Sequence, residues 1–194
     1  EVQVIGDGSG AVIHLGEREC SIQRRHQKLV EIAPCPSLPG NLRARISADA
    51  LRMAAAIRYA NAGTFEFLMD ADSMAGGAAL REVSYAFIEA NPRLQVEHTV
   101  TEEVLGLDLV ALQIEVARGR SLADLNLTQT QVPAPRGTAV QARVNLETMS
   151  ADGSARPAGG VLSAFEPPSG PGVRVDGFGY AGYRTSARYD SLLA

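Results

Sequence analysis

The segment Glu89-Ala-Asn-Pro-Arg-Leu-Gln-Val-Glu-His98 carries a carboxylate, an amide, a guanidinium, a second amide and a second carboxylate at alternate positions. A half-buried strand alternates its faces with period two, so Glu89, Asn91, Arg93, Gln95 and Glu97 are expected to project together while Ile88, Ala90, Leu94 and Val96 pack inward. Fully extended, Glu89 to Glu97 would cover roughly 26 Å at about 3.3 Å per residue, too long for one small-molecule site. The chain must therefore bend, and Pro92 is the place, since proline cannot donate to a sheet ladder. We read Phe87 to Asn91 as a strand end and Arg93 to His98 as a loop folded back over the same pocket.

Glu66 stands between Phe65 and Phe67, so on a strand it faces away from both rings. If Thr64 to Met69 pairs antiparallel with Val83 to Glu89, Glu66 falls opposite or diagonal to Glu89, with side chains about 5 to 8 Å apart. Two carboxylates that close repel unless a positive charge lies between them. With the Asn91 carbonyl they make an oxygen-only set suited to magnesium or manganese, which commonly take few protein carboxylates plus nucleotide phosphates. The plainer alternative is a pair of solvated strand carboxylates; Asn91, Arg93 and Glu97 beside them favour the cation. Arg93 presents a planar fork of donors that matches a planar oxyanion such as bicarbonate, and Glu97 could act as base. Glu97 equally suits a helix start before Thr101 to Leu105, where negative charge meets the dipole. Gln95 can donate to an anion or face water, and Val96 can offer only its backbone.

In Gln23-Arg-Arg-His-Gln-Lys28 the functional reading is an anion cradle with Lys28 as a point charge and His26 as a donor; the plain one is a solvated basic edge. His14 and His98 have no partner at metal spacing and read as packing or local hydrogen-bonding residues. Cys20 reads as a small buried hydrophobe.

Several elements must hold these groups. Val2 to Ile5 and Ala11 to Leu15 flank Asp7-Gly-Ser-Gly10, a hairpin signature, and Lys28 to Ile32 is a third extended piece. Leu42, Ile46, Ala50, Met53, Ile57 and Ala60 recur at helical spacing, predicting an amphipathic helix from Asn41 to Tyr59 that ends at Ala62-Gly63. Thr64 to Met69 and Val83 to Glu89 are expected to form a hairpin with an enlarged loop over Asp70 to Leu80. Thr101 to Leu105 and Asp108 to Arg118 have helical composition, the latter stopped by Gly119. Prolines and polar residues between Leu122 and Gly137 mark a linker, after which Thr138 to Leu146, Gly160 to Phe165 and Val173 to Val175 read as short strands. The layout is α+β with largely antiparallel pairing.

Composition narrows the options. A chain of 194 residues that is 45% hydrophobic suits one good core or two modest ones. A net charge of −4 and no tryptophan argue against a nucleic-acid surface. No apolar run approaches the roughly 18 residues that span a bilayer, so no membrane partner is expected. Two cysteines are too few for a disulfide scaffold, and a cytoplasmic location is expected. Both ends read as cuts.

Taken together, Glu17-Arg-Glu-Cys-Ser-Ile-Gln-Arg-Arg-His-Gln-Lys28, Gly63-Thr-Phe-Glu-Phe67, Phe87 to His98 and Gly179-Tyr-Ala-Gly-Tyr183 resemble the biotin carboxylase family of ATP-grasp ligases. The resemblance implies the later, antiparallel part of an ATP-grasp fold over residues 1–120, a linker over 121–137, and the opening of the family's mainly β C-terminal domain over 138–194. It assigns Glu66 and Glu89 to the magnesium or manganese ions on ATP, with Asn91 on one of them. Gln23 and His26 would contact the nucleotide and Leu68 would lie near its base. Lys28, Arg93, Gln95, the Val96 backbone and Glu97 would surround bicarbonate, and Arg174 would face the biotin ureido group. The implied reaction starts when Glu97 deprotonates bicarbonate, which attacks the γ-phosphate to give carboxyphosphate; this releases carbon dioxide, and the phosphate left behind takes the biotin N1′ proton. Arg93 and Arg174 would stabilise the charge that develops on the ureido group. The implied partners are a biotin carboxyl carrier domain and a carboxyltransferase, fused or separate, in a homo-oligomeric parent. The isolated 194 residues are expected to show no turnover, because the family's lid and nucleotide-binding lysine lie upstream of its matching motifs. Two alternatives stand beside this one: another ATP-grasp carboxylate ligase such as the carbamoyl-phosphate synthetase large subunit, and a non-catalytic module that kept the fold.

Overall fold

The computed structural model describes residues 1–70, 83–188 and 190–194, in two compact units, Glu1–Gln141 and Ala142–Ala194. Most of the expected enlarged loop over Asp70 to Leu80 lies outside the described residues.

In the first unit, β1 (Val2–Asp7) and β2 (Val12–Glu17) form the expected hairpin. Asp7 Oδ1 closes its turn by accepting from the Ser9 backbone N–H at 2.9 Å and the Ser9 hydroxyl at 2.6 Å. Gly8 and Gly10 take φ of +79° and +113°, a region open mainly to glycine. The other edge of β1 pairs with β5 (Ala60–Met69), and β5 pairs with β6 (Tyr85–Asn91), giving an antiparallel sheet in the order β2-β1-β5-β6.

This sheet has apolar material on both faces. Val2 and Val4 point to one side, where α1 (Gly40–Ala56) contributes Leu42, Ile46, Ala50 and Ala54. Ile5 points to the other, towards Val100, Val104 and Leu105 of α2 (His98–Leu105) and Leu109 and Val116 of α3 (Leu109–Ala117). Burying each of these Val, Leu and Ile side chains contributes about 1.5–3 kcal/mol, and β1, paired along both edges, gains from apolar partners on both faces. Its one polar interruption, Gln3, is fully buried and donates to the Gly63 carbonyl at 2.9 Å.

Helix α1 ends earlier than its periodicity predicts. Arg58 adopts φ +50° and Tyr59 N–H returns to the Ala54 carbonyl at 2.9 Å, so the chain reverses before Ala62-Gly63, which belong to β5. The reversal drops Tyr59 into the core, edge-on to Phe65 at 5.8 Å between ring centroids. Tertiary packing of that ring outweighs the helical preference of the segment.

A second sheet, in the order β3-β4-β7, joins β3 (Glu19–Arg24), β4 (Gln27–Ala33) and β7 (Ala139–Ala142). β3 has weak strand composition and was not expected; its cross-strand pairing with β4, Glu19 to Ile32 and Gln23 to Lys28, makes it a strand. Between them Arg25 and His26 both take positive φ, +51° and +64°, the geometry of a tight two-residue hairpin turn usually given to Asn-Gly.

The second unit is built from short ladders, β8 (Glu147–Met149) with β9 (Ala155–Pro157) and β10 (Gly160–Val161) with β11 (Arg184–Thr185). The strand expected over Val173 to Val175 is not one: Val173 N–H closes a turn onto the Gly170 carbonyl at 3.1 Å, and Pro167, Pro168 and Pro171 remove ladder donors just before it. The strand expected over Gly160 to Phe165 shortens to Gly160–Val161, with Leu162 N–H still bonded to the Tyr183 carbonyl at 2.9 Å.

Gly63 is the tightest spot of the sheet. A Cβ there would stand 1.8 Å from the Tyr59 hydroxyl and 3.0 Å from the Asn91 carbonyl. Gly63→Ala is expected to destabilise the intact protein by about 1–3 kcal/mol, read as a lower unfolding temperature by calorimetry, because Tyr59 is packed and cannot yield cheaply. An unchanged temperature would contradict this packing.

Candidate functional site

The two acids singled out in the sequence meet across the β5–β6 ladder, with Glu66 directly opposite Glu89. Their approach is bridged by an amide: Asn91 Nδ2 donates to Glu66 Oε1 at 3.0 Å and to Glu89 Oε1 at 2.9 Å. A bulge follows, because Phe67 pairs with Phe87 and Ile88 is left as the extra residue. The bulge returns Phe87 to the opposite face, where Phe65, Phe67, Tyr85 and Phe87 meet in tilted and edge-on contacts at 5.8 to 6.0 Å between ring centroids. One ladder thus carries an acidic face and an aromatic face.

The alternation expected from Glu89 to Glu97 fails in part. Ile88 and Val96, expected inside, are 48% and 40% exposed, and Ala90 is exposed too, whereas the polar Gln95 and Glu97 are 8% and 2% exposed. The reason is the bend at Pro92: Arg93 N–H closes a turn onto the Asn91 carbonyl at 2.8 Å, and His98 N–H closes the next onto Gln95 at 3.2 Å. Only Leu94 packs on the apolar core. The doubled-back segment faces its polar ends towards Lys28.

Lys28 is the only lysine among the 18 basic residues of the sequence. From β4 its ammonium donates to Glu66 Oε1 at 2.8 Å, to Glu97 Oε1 at 2.7 Å and to Glu1 Oε2. Three N–H donors meet three carboxylates brought by β5, the start of α2 and the residue before β1. Glu66 Oε1 is shared further with Gln95 Nε2 at 3.3 Å, while the buried Gln95 Oε1 has no hydrogen-bond partner among the described residues. Behind Glu1 lies Arg18, wholly buried, whose Nε donates to Glu1 Oε1 at 2.6 Å.

These neighbours set the ionisation of the cluster. Burial opposes charge on Glu1, yet Arg18 and Lys28 hold its carboxyl well below the usual carboxylate range. Burial likewise opposes charge on Lys28, and the Glu1 charge with hydrogen bonds to Glu1, Glu66 and Glu97 keeps the ammonium above the usual lysine range. Burial and the Glu1 carboxylate push the Cys20 thiol up, so Cys20 is no ready nucleophile. The Glu1, Cys20 and Glu97 ligand atoms lie within 4.8 Å of one another, a spacing a metal could use, but the Lys28 ammonium already serves both carboxylates.

Between Glu66 and Glu89 stands the N–H₂ end of Asn91, which bridges the two acids. Not every expected residue joins the cluster. Arg93 is exposed, its guanidinium donating to the Leu94 carbonyl at 3.2 Å. Gln23 lies on β3 opposite Lys28 with its amide on the Cys20 carbonyl at 2.8 Å, and His26 sits exposed in the strained turn beside it. Leu68 follows Glu66 on β5 and is 62% exposed. Arg174 belongs to the second unit, where it forks onto Asp176 at 2.6 and 3.2 Å. His14 and His98 make local bonds, to Gly16 N–H and to the Gln95 carbonyl.

Glu1 and Arg18 escaped the sequence reading. The signal that points to them is faint: a glutamine inside the apolar Val2–Ile5 run, buried with no charge of its own to explain it, and an arginine between two glutamates.

Among the described residues no helix is long and apolar enough to cross a membrane. Residues 1–125 match the domain family described as the carbamoyl-phosphate synthase L chain ATP-binding domain, and residues 141–194 match the biotin carboxylase C-terminal domain. The chain is 48% identical to a pyruvate carboxylase of Aspergillus niger over its full length, which is 15% of that protein. It is 47% identical over 193 residues to a biotin carboxylase of a Nostoc species, covering 40% of it. It also resembles the biotin carboxylase domain of the Hydrogenobacter thermophilus 2-oxoglutarate carboxylase, solved with MgADP and bicarbonate, at 40% identity and a TM-score of 0.85, covering 99% of this chain and 39% of that one. The chain thus spans less than half the length of the relatives it matches. Its ladder of paired acids, its buried ammonium and these likenesses agree, and the chain belongs to the carbamoyl-phosphate synthase L chain ATP-binding domain family, in its biotin carboxylase branch of the ATP-grasp ligases.

Proposed function

We propose that this chain supplies the metal and bicarbonate part of a biotin carboxylase active site, within a longer biotin-dependent carboxylase that joins bicarbonate to carrier-borne biotin at the expense of ATP. The observation that carries the reading is the Lys28 ammonium standing between Glu66, on the cation side, and Glu97, on the base side, at 2.8 and 2.7 Å. A biotin carboxyl carrier domain, a carboxyltransferase and a cytoplasmic setting belong to the same reading. So does a division into an ATP-grasp part over 1–120, a linker over 121–137 and the start of a C-terminal domain from 138, although the two compact units divide later, between Gln141 and Ala142.

Glu66, Glu89 and Asn91 would hold magnesium or manganese, which would neutralise the phosphate oxygens of ATP as charge shifts in phosphoryl transfer. Lys28 and Gln95, now donating to Glu66, are the donors a neighbouring oxyanion needs. Glu97, oriented by Lys28, takes the proton of bicarbonate; the freed oxygen forms its bond to the γ-phosphorus as the bond to ADP breaks. Breakdown of the resulting carboxyphosphate gives carbon dioxide and phosphate, and the phosphate accepts the biotin N1′ proton. Exposed Arg93, at the edge of the cluster, is free to turn its fork to the bicarbonate or the ureido oxygen. Gln23 and His26 on the β3–β4 hairpin and Leu68 on β5 line the approach proposed for the nucleotide, and Arg174 is proposed to face the ureido group.

In the full-length carboxylase, Arg93→Ala is expected to lower biotin carboxylation by about 100-fold or more while the ATP Kd, measured by calorimetry, stays within about twofold. Loss of ATP binding with an unchanged carboxylation rate would overturn the role given to Arg93.

The pH dependence follows from the two shifted groups. Lys28 is held above its ordinary 10.5, so its contribution is complete below that value and disappears only as pH rises beyond it. Glu1 is held below its ordinary 4.5, so its contribution is present above that value and is lost as pH falls further. Between about pH 5 and 10 the pairing is constant, so the bicarbonate KM should show no break from either group across about pH 6–9. A break in that range that vanishes in Lys28→Arg would contradict the assignment.

A further inference from the structure

The Glu1 carboxylate is divided between two cations: Oε2 takes Lys28, and Oε1 takes Arg18. Arg18 has no exposed side-chain surface. Besides Glu1, its Nη1 donates to Gln3 Oε1 at 2.8 Å and Thr101 Oγ1 at 2.9 Å, and its Nη2 to Thr64 Oγ1 at 3.2 Å. Those partners come from β1, α2 and β5, the elements that bring Glu1, Glu97 and Glu66 to Lys28. Backbone bonds tie the same two residues, Arg18 N–H to the Glu1 carbonyl at 2.9 Å and the Glu1 backbone nitrogen to the Arg18 carbonyl at 3.0 Å.

We propose that Arg18 is a positioning residue for the bicarbonate pocket: by fixing the plane and charge of the Glu1 carboxylate, it sets where the Lys28 ammonium stands. The inference rests on the reading of Lys28 as a bicarbonate ligand. A planar guanidinium with five donors can hold one carboxylate oxygen and three neutral acceptors at once, which fixes its own orientation and therefore that of Glu1. Without it, Lys28 alone would face Glu1, Glu66 and Glu97. Glu1 would then swing away or take up a proton, and Lys28 would lose one of its three acceptors. A lysine at position 18 could restore the charge but not the fork, so its effect should be intermediate.

The test uses the full-length carboxylase with Arg18→Met, Arg18→Lys, Glu1→Gln and the Arg18→Met/Glu1→Gln double variant. Two quantities are measured: KM values for bicarbonate and ATP in bicarbonate-dependent ATP cleavage, and the rate at which acetic anhydride acetylates Lys28, followed by mass spectrometry without turnover. Arg18→Met and Glu1→Gln should each raise the bicarbonate KM about tenfold and leave the ATP KM within about twofold, and each should speed Lys28 acetylation several-fold. Because they act through one contact, the double variant should fall within about twofold of the worse single one. Multiplying effects, or Lys28 acetylation unchanged in folded Arg18→Met, would overturn the proposal. Should Arg18→Met fail to fold, the near-isosteric Glu1→Gln and the milder Arg18→Lys decide it: unchanged Lys28 acetylation in both is fatal, and faster acetylation in both supports it. An unsubstituted enzyme whose ATP cleavage ignores bicarbonate would overturn the functional reading, while the acetylation rates would still judge Arg18.

Discussion

A lysine ammonium surrounded by three carboxylates governs the arrangement of the first unit. The side chains of Glu1, Glu66 and Glu97 are 2%, 16% and 3% exposed, and three acids so placed would repel one another by several kcal/mol in a poorly solvated pocket. Lys28 resolves the conflict by geometry as well as charge, since its three N–H bonds spread around a point. The flat fork of an arginine would suit one carboxylate from one side. In a sequence that otherwise places arginine at every basic position, a lysine here is consistent with that demand.

The elements around it follow from the need to bring three acids to one point. β1 runs between β2 and β5, and the period-two alternation of its side chains sends Val2 and Val4 to α1 while Gln3 turns to the polar side with Arg18. The β5–β6 ladder repeats the division, aromatic on one face and acidic on the other, and the bulge at Ile88 allows both on so short a strand. The α2 helix begins at Glu97 with no side-chain cap bond from it, so the carboxylate is given to Lys28 rather than to the helix end. Glu1, Glu66 and Glu97 are each matched with Lys28 from a different element, and the cluster therefore fixes their mutual positions.

Much of this was visible in the sequence, for reasons that are local. Asp7-Gly-Ser-Gly10 needs positive φ and side-chain bonds within a few residues, so it announces its turn wherever it stands. The facing of Glu66 and Glu89 followed from strand alternation and hairpin pairing alone. The inward packing expected of Ile88 and Val96 did not hold, because a bulge and a proline bend break the period of two, and neither break is encoded by hydrophobicity. β3 was missed for a related reason, its strand character residing in its partner rather than in Glu-Cys-Ser-Ile-Gln-Arg.

The sequence by itself determined the kinds of groups available: paired acids with an amide, a planar cation, a base and one lysine, in spacings that local strand and turn geometry could interpret. Only the tertiary structure decided which of them meet. Glu1 and Lys28 are 27 positions apart, and Lys28 and Glu97 are 69 apart. Such contacts depend on how three separate elements pack, and no local propensity or periodicity carries information over that separation. For the same reason Arg18, an ordinary arginine between two glutamates, acquired its place in the site only when burial removed water and left Glu1, Gln3, Thr64 and Thr101 as its partners.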